Sequence, residues 1–215
     1  MISDTDARAA VVLAGGASRR FGSDKTRAEL HGRSLLERVV QVVAPLVGEL
    51  VVVGPWAPSG CRQVLEPERF QGPLAAMAFG LDHVAAPVAL VLGGDHPLLE
   101  PRLLRELLAR AGRDTAGGFQ AVVPLGPTGP EPLVGCYRHT VADSAGGLLA
   151  EGRRSLRALL EVIEVDWMPE AEWRPFDPGG NSFLDIDHRE DLDRLARRSD
   201  SRADPRPDPL SDPER

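Results

Sequence analysis

The sequence predicts an α/β protein, a single three-layer α/β/α domain built on a mostly parallel sheet. Short apolar, β-rich runs alternate with stretches of helical period along most of the chain. These runs are apolar on both faces, as strands covered by helices on both sides are. They also end at glycines, where a buried strand gives way to a loop.

Ala9 to Ala14 is the first run, and Gly15-Gly16 stops it. Leu35, Leu36, Val39, Val40, Val43, Leu46 and Val47 then recur at helical spacing, with Glu37, Arg38 and Gln41 on the opposite face. Glu49 to Val53 makes the next strand, and Gly72-Pro73 opens a helix whose first turn tolerates proline. Val88 to Leu92 is a third strand, broken at Gly93-Gly94. A helix from Pro101 to Ala111 and a strand near Ala121 to Pro124 follow. That order predicts helices on both faces of the sheet and right-handed crossovers. Ligands of such sheets sit beyond the carboxyl ends of the strands, so Gly15-Gly16 and Gly94-Asp95 are the places to look.

A length of 215 residues suits one domain, here residues 1–198. Residues 199–215, rich in Pro, Asp and Arg, hold too little apolar surface to offset their ordering entropy and are expected to be a disordered tail. A net charge of −7 argues against a broad nucleic-acid surface, though a local cationic loop can still hold a nucleotide. Cys61 and Cys136 fit no metal or redox spacing and are expected to be buried thiols. No signal peptide and no run of about 20 apolar residues is present, which leads us to expect a cytoplasmic protein away from membranes. Trp56, Trp167 and Trp173 are read as packing or surface residues, and a monomer is favoured.

The segment Leu13 to Lys25, LAGGASRRFGSDK, carries the most chemistry. Gly15, Gly16 and Gly22 let the backbone approach a ligand closely, and successive N–H groups in such a loop form an anion-binding concavity. Arg19, Arg20 and Lys25 add cations, arginine being able to grip phosphate oxygens in pairs. A polyphosphate is the natural ligand. A P-loop needs Gly followed at once by Lys and Ser or Thr, whereas Ser23 and Asp24 separate Gly22 from Lys25.

LAGGASRRFGSDK closely resembles the LAGGxSxRxGxDK signature of nucleotidyltransferases, in particular the molybdenum cofactor guanylyltransferases (MobA-type) and their cytidylyltransferase relatives. The resemblance spans roughly residues 8 to 197 through five elements in the expected order. It implies a fold of the nucleotide-diphospho-sugar transferase type. It also implies transfer of GMP from GTP to the phosphate of the molybdenum cofactor (molybdopterin), with release of pyrophosphate.

Such a transfer needs phosphate charge neutralised, usually by Mg²⁺ on one or two carboxylates. Asp95, in GGDHPLL after the third strand, matches the family's D-x-P-x-L element, whose Asp binds the metal. His96 could be a ligand or a proton donor, but is read as a spacer. Ser182 to Leu192 resembles the family's closing motif, a strand end running into the last helix. Asp187 then matches the late metal-facing position and Asp185 the one two residues earlier, on the same face of a strand. His188-Arg189 replace the usual Thr-Pro, so Asp187 also competes as the helix cap.

The resemblance places Leu13, Ala14, Gly15, Gly16, Arg19 and Lys25 on the triphosphate, and Glu66, Gly72 and Pro73 near the nucleoside. The catalytic set it implies is Lys25, Arg19 and Asp95. Glu131 to Tyr137 resembles the strand that lies toward the acceptor. Arg153, Arg154 and Arg157 open a helix against its dipole, which an anionic acceptor would offset, a solvated basic turn being the alternative. Asn181 is either an acceptor contact or a turn residue. Other cofactor-biosynthesis proteins or acceptor apo-enzymes are possible partners. Two alternatives stay open: CTP-dependent transfer to molybdopterin or a sugar phosphate, and a nucleotide-binding regulator without turnover.

Overall fold

The structure, a computed structural model, describes residues 7–15, 24–68, 71–113 and 118–200. Strand β1 (Arg8–Leu13) is followed by a 3-10 turn (Lys25–Arg27), the hairpin of β2 (Glu29–Leu30) and β3 (Arg33–Ser34), and helix α1 (Leu35–Val43). Strands β4 (Glu49–Val53) and β5 (Arg62–Val64), helix α2 (Pro73–Leu81), β6 (Val88–Gly93) and α3 (Pro101–Arg113) complete the first half. The second half holds β7 (Ala121–Gly126), β8 (Gly129–Pro130), β9 (Val134–Arg138), α4 (Val141–Ala150), α5 (Leu156–Leu160), β10 (Val165–Met168), α6 (Glu170–Trp173) and α7 (Arg189–Asp200). Helix α7 takes in the first two residues of the expected tail.

The main sheet runs β5-β4-β1-β6-β9-β7-β10, with β8 paired to β7. It is mostly parallel, as expected, but β9 lies antiparallel to both β6 and β7. One reversed strand therefore joins two parallel sets, β5-β4-β1-β6 and β7-β10.

Strand β1 shows why both faces are covered. Ala9, Val11 and Leu13 point into a core with Leu74, Met77 and Leu81 of α2 and Val141, Ala145 and Leu148 of α4. Ala10 and Val12 point the other way, into a core with Leu36, Val39 and Val43 of α1 and Leu103, Leu104, Leu107 and Leu108 of α3. Side chains alternate across a strand, so an apolar run filling both cores needs no polar face. Each fully buried Leu in this arrangement contributes about 1.5–3 kcal/mol. A third, smaller cluster joins Leu30 and Leu35 to Ile186 and Leu195.

Helix α1 starts on a capping box, with Ser34 accepting from the Glu37 N–H and Glu37 reaching back to the Ser34 N–H. Its apolar spacing runs on to Val47, but the helix ends at Val43 because Pro45 has no N–H to continue the ladder. The chain tightens into a 3-10 turn over Ala44–Leu46 instead.

Candidate active site

The site forms where β1 and β6 end side by side. These strands are parallel neighbours, with Leu13 opposite Gly93, so their following loops must meet. The Gly94 N–H donates to the Leu13 carbonyl at 2.9 Å, and the Ala14 N–H donates to the Val53 carbonyl at 2.8 Å. Three strand ends are thereby tied together. Gly54 permits this crossing, since a Cβ there would lie 2.7 Å from the Ala14 carbonyl carbon.

The chain returns to this point at Lys25. Asp24 caps the 3-10 turn, its carboxylate accepting from the Thr26 N–H at 3.1 Å and the Thr26 hydroxyl at 2.7 Å. Thr26 is buried against Gly94, whose missing side chain leaves room for Thr26 Cγ2 and Leu36 Cδ1. The Lys25 ammonium is thus delivered over the end of β6. There Nζ lies 2.5 Å from Asp95 Oδ2 and 2.8 Å from Asp187 Oδ1. Burial opposes the charged lysine, but Asp95 and Asp187 outweigh it and hold its pKa above the usual value.

Asp185 completes the cluster: oxygens of Asp95, Asp185 and Asp187 all lie within 4.8 Å of one another. Partial desolvation, then repulsion from Asp187 and Asp95, raises the Asp185 pKa. Three carboxylates against one ammonium leave an excess of negative charge, and hard oxygen donors at this spacing suit a divalent cation such as Mg²⁺. Asp95, Asp185 and Asp187 would be its holders.

The other expected site residues are distributed around this centre. Gly16 and Arg19, with Arg20 and Gly22, lie outside the described residues. Leu13 and Ala14 have buried side chains and contribute backbone to the strand junction, while Gly15 is exposed just beyond it. Glu66 follows β5 and is half-buried, and burial raises its carboxyl pKa. Gly72, at φ 98°, and Pro73 open α2.

That helix start is docked directly on the arginine segment. A Cβ on Gly72 would lie 3.2 Å from the Arg154 carbonyl oxygen, which accepts from the Leu74 N–H at 3.4 Å. The Arg154 guanidinium donates to both the carbonyl and the side-chain oxygen of Gln71. Two segments assigned by resemblance to nucleoside and acceptor are therefore in contact. Arg153 pairs with Glu161. Glu131 is half-buried with a raised carboxyl pKa, caused by burial and by nearby Asp185, against the pull of His96.

Several expectations change. Residues 184–187 form an irregular extended segment after a 3-10 turn (Asn181–Phe183), not a strand end. Its backbone is held by the Asp95 turn instead, with the Ile186 N–H donating to the Asp95 carbonyl at 3.1 Å. Asp191 accepts the His188 N–H at 2.9 Å, so the helix start has a carboxylate of its own while Asp187 meets Lys25. Cys61 is only partly buried, whereas Cys136 is buried as expected.

His96 is no mere spacer: it is buried, with Nδ1 3.0 Å from the Ser182 carbonyl oxygen. Asp177 and Ser182, both fully buried, were not singled out in the sequence. Asp177 accepts the N–H groups of Asn181 at 3.0 Å and Ser182 at 2.8 Å. Its Asp-Pro-Gly-Gly context is a turn signal of the kind in which a carboxylate takes nearby backbone N–H groups.

Residues 10–167 match the model of the MobA-like NTP transferase domain. A probable molybdenum cofactor guanylyltransferase of Chloroflexus aggregans is 34% identical over 193 residues, covering 85% of this chain and 90% of the relative. The crystal structure of molybdopterin-guanine dinucleotide biosynthesis protein A from Archaeoglobus fulgidus superposes with a TM-score of 0.78 at 26% identity, covering 90% of this chain and 99% of that one. A 2-C-methyl-D-erythritol 4-phosphate cytidylyltransferase from Thermus thermophilus shares the fold at 17% identity and a TM-score of 0.65, over 89% and 98% of the two chains. With its lysine and aspartates gathered at the ends of β1 and β6, the chain belongs to the MobA-like NTP transferase family.

Proposed function

We propose that this protein is a cytoplasmic, Mg²⁺-dependent guanylyltransferase that moves GMP from GTP onto the phosphate of molybdopterin in the molybdenum cofactor. The observation that carries the reading is Lys25 lying between Asp95 and Asp187 at the strand ends, in a chain whose relatives are named as guanylyltransferases of that cofactor. A phosphate oxygen of the acceptor attacks the α-phosphorus of GTP. The bond to the bridging oxygen of the β-phosphate breaks, and pyrophosphate leaves.

The attacking phosphate is already an anion, so no base is required, and positioning with charge neutralisation dominates. Lys25 suits that task because its raised pKa keeps it charged throughout the neutral range. Asp95, Asp187 and Asp185 would hold Mg²⁺, which supplies further neutralisation of phosphate charge. Gly15 leads into the glycine loop, where Gly16 and Arg19 are assigned to the triphosphate. Gly72 and Pro73, with Glu66, are assigned to the nucleoside end. Arg154, fixed beside Gln71, brings cationic character to the same helix start.

The test is pyrophosphate release from each of the four nucleoside triphosphates in the presence of molybdopterin acceptor, with and without chelator. GTP alone should support release, and chelation should stop it. Lys25→Ala and Asp95→Ala should each lower the rate about 100- to 1,000-fold. Release with CTP alone would overturn the guanylyl assignment, and tight GTP binding without turnover would make the protein a regulator.

A further inference from the structure

His96 is a buried polar side chain beside the aspartate cluster that the chemistry above does not use. Its Nδ1 lies 3.0 Å from the Ser182 carbonyl oxygen. A carbonyl only accepts, so Nδ1 carries the proton and donates. Nε2 faces Asp95, 3.8 Å from Oδ1. Gly93 makes room for this arrangement, because a Cβ there would lie 2.5 Å from His96 Cδ2 and 2.6 Å from Asp95 Oδ1.

Ser182 is the anchor of the segment that carries Asp185 and Asp187. Its N–H is held by the fully buried Asp177 at 2.8 Å, and its hydroxyl accepts from the Glu100 N–H at 2.9 Å. The segment therefore meets the Asp95 loop on both sides of Asp185. Before it stands the His96–Ser182 bond, and after it the Ile186 N–H to Asp95 carbonyl bond of 3.1 Å. No regular strand or helix fixes residues 184–187, so these cross-links decide where the two carboxylates lie relative to Asp95.

We propose that His96 is a positioning residue which, through its Nδ1 bond to Ser182, sets the spacing of Asp95 from Asp185 and Asp187 and so the divalent-cation affinity of the cluster. Groups that orient metal-binding carboxylates typically change affinity about 10- to 100-fold when lost. The inference rests on the metal role assigned under the proposed function.

Two substitutions separate positioning from packing. In His96→Asn the amide nitrogen takes up the place of Nδ1, while in His96→Gln it takes up that of Nε2. Mn²⁺ binding to the purified protein, without nucleotide, is read from the EPR signal of free Mn²⁺, with thermal melts alongside. His96→Gln should weaken binding about 10-fold, and His96→Asn should stay within about twofold of the parent. Equal affinities in both variants, whether weakened together or unchanged, overturn the inference.

The parent protein provides a reading independent of variant folding. The ¹⁵N shifts of the His96 ring should report a proton on Nδ1, as its contact with the Ser182 carbonyl requires, and a bare Nδ1 overturns the inference. Asp187→Asn separates the two readings. If it leaves Mn²⁺ affinity unchanged, the metal assignment falls; if it weakens binding while His96→Gln does not, only the role of His96 falls.

Discussion

Lys25 and Asp187 stand 162 positions apart and meet at 2.8 Å, while Asp185, two residues from Asp187, has its ionised form disfavoured. The two aspartates should therefore respond oppositely to substitution in metal-free protein. Asp187→Asn breaks an ion pair with Lys25 and should lower the melting temperature. Asp185→Asn removes a charge from a crowded cluster and should raise it. Asp185 is exposed, so solvent screens the gain to about 0.5 kcal/mol, or about 1–2 °C for a chain of this size. The sign with pH follows from the raised carboxyl pKa. The cost of ionising Asp185 is absent below its unfolded pKa and fully present above its folded one, so the advantage of Asp185→Asn should grow as pH rises through that window. Melts in chelator from pH 4 to pH 8 check this, and a destabilised Asp185→Asn across the range would contradict it.

The residues found by reading the chain and those that were missed differ in kind. Lys25 and Asp95 each follow a glycine break after a buried run, a local pattern. Asp177 is local, a turn carboxylate on N–H groups four and five residues on, but Ser182 and His96 act through contacts with distant segments, His96 to Ser182 and Ser182 to Glu100. No spacing along the chain encodes those.

Helix α2 shows at the scale of the element how sheet geometry overrides helix propensity. Gly80 lies inside α2, where glycine costs about 1 kcal/mol relative to alanine. Propensity alone would favour Gly80→Ala. But a Cβ at Gly80 would lie 2.3 Å from Val11 Cγ1 and 2.9 Å from Val53 Cγ2, both on strands that carry the site. The helix packs on β1 and β4 at a distance only glycine permits. Gly80→Ala should therefore destabilise by about 1–3 kcal/mol, read as a shift in denaturant midpoint. A stabilised variant would mean that α2 can move away from the sheet freely. The same rule explains what was legible among the elements. The long buried strands β1, β4 and β6 and the amphipathic helices α1 and α3 carry strong periodic patterns. The antiparallel setting of β9 leaves no trace in its own residues, since direction depends on the neighbours it joins.

Across the whole molecule, the site depends on the segment after α6 returning to the residues between β1 and α1. The matched domain covers residues 10–167, yet Asp185 and Asp187 lie beyond it, carried by a segment that returns to the N-terminal half. Besides the polar links to the Asp95 loop, that return is held by the small cluster of Leu30, Leu35, Ile186 and Leu195. This cluster lies apart from both sheet cores, so it can be weakened without opening them. Leu195→Ala in α7 should cost about 2–3 kcal/mol and also weaken Mn²⁺ binding, because Ile186 sits between the two aspartates. Leu107→Ala, in the core under α3, should cost at least as much stability while leaving Mn²⁺ affinity near that of the parent. Comparing the pair at a temperature where both remain folded separates loss of the closure from loss of stability. Equal Mn²⁺ affinities would show that the polar links from Ser182 and Ile186 to the Asp95 loop hold the aspartates without help from α7.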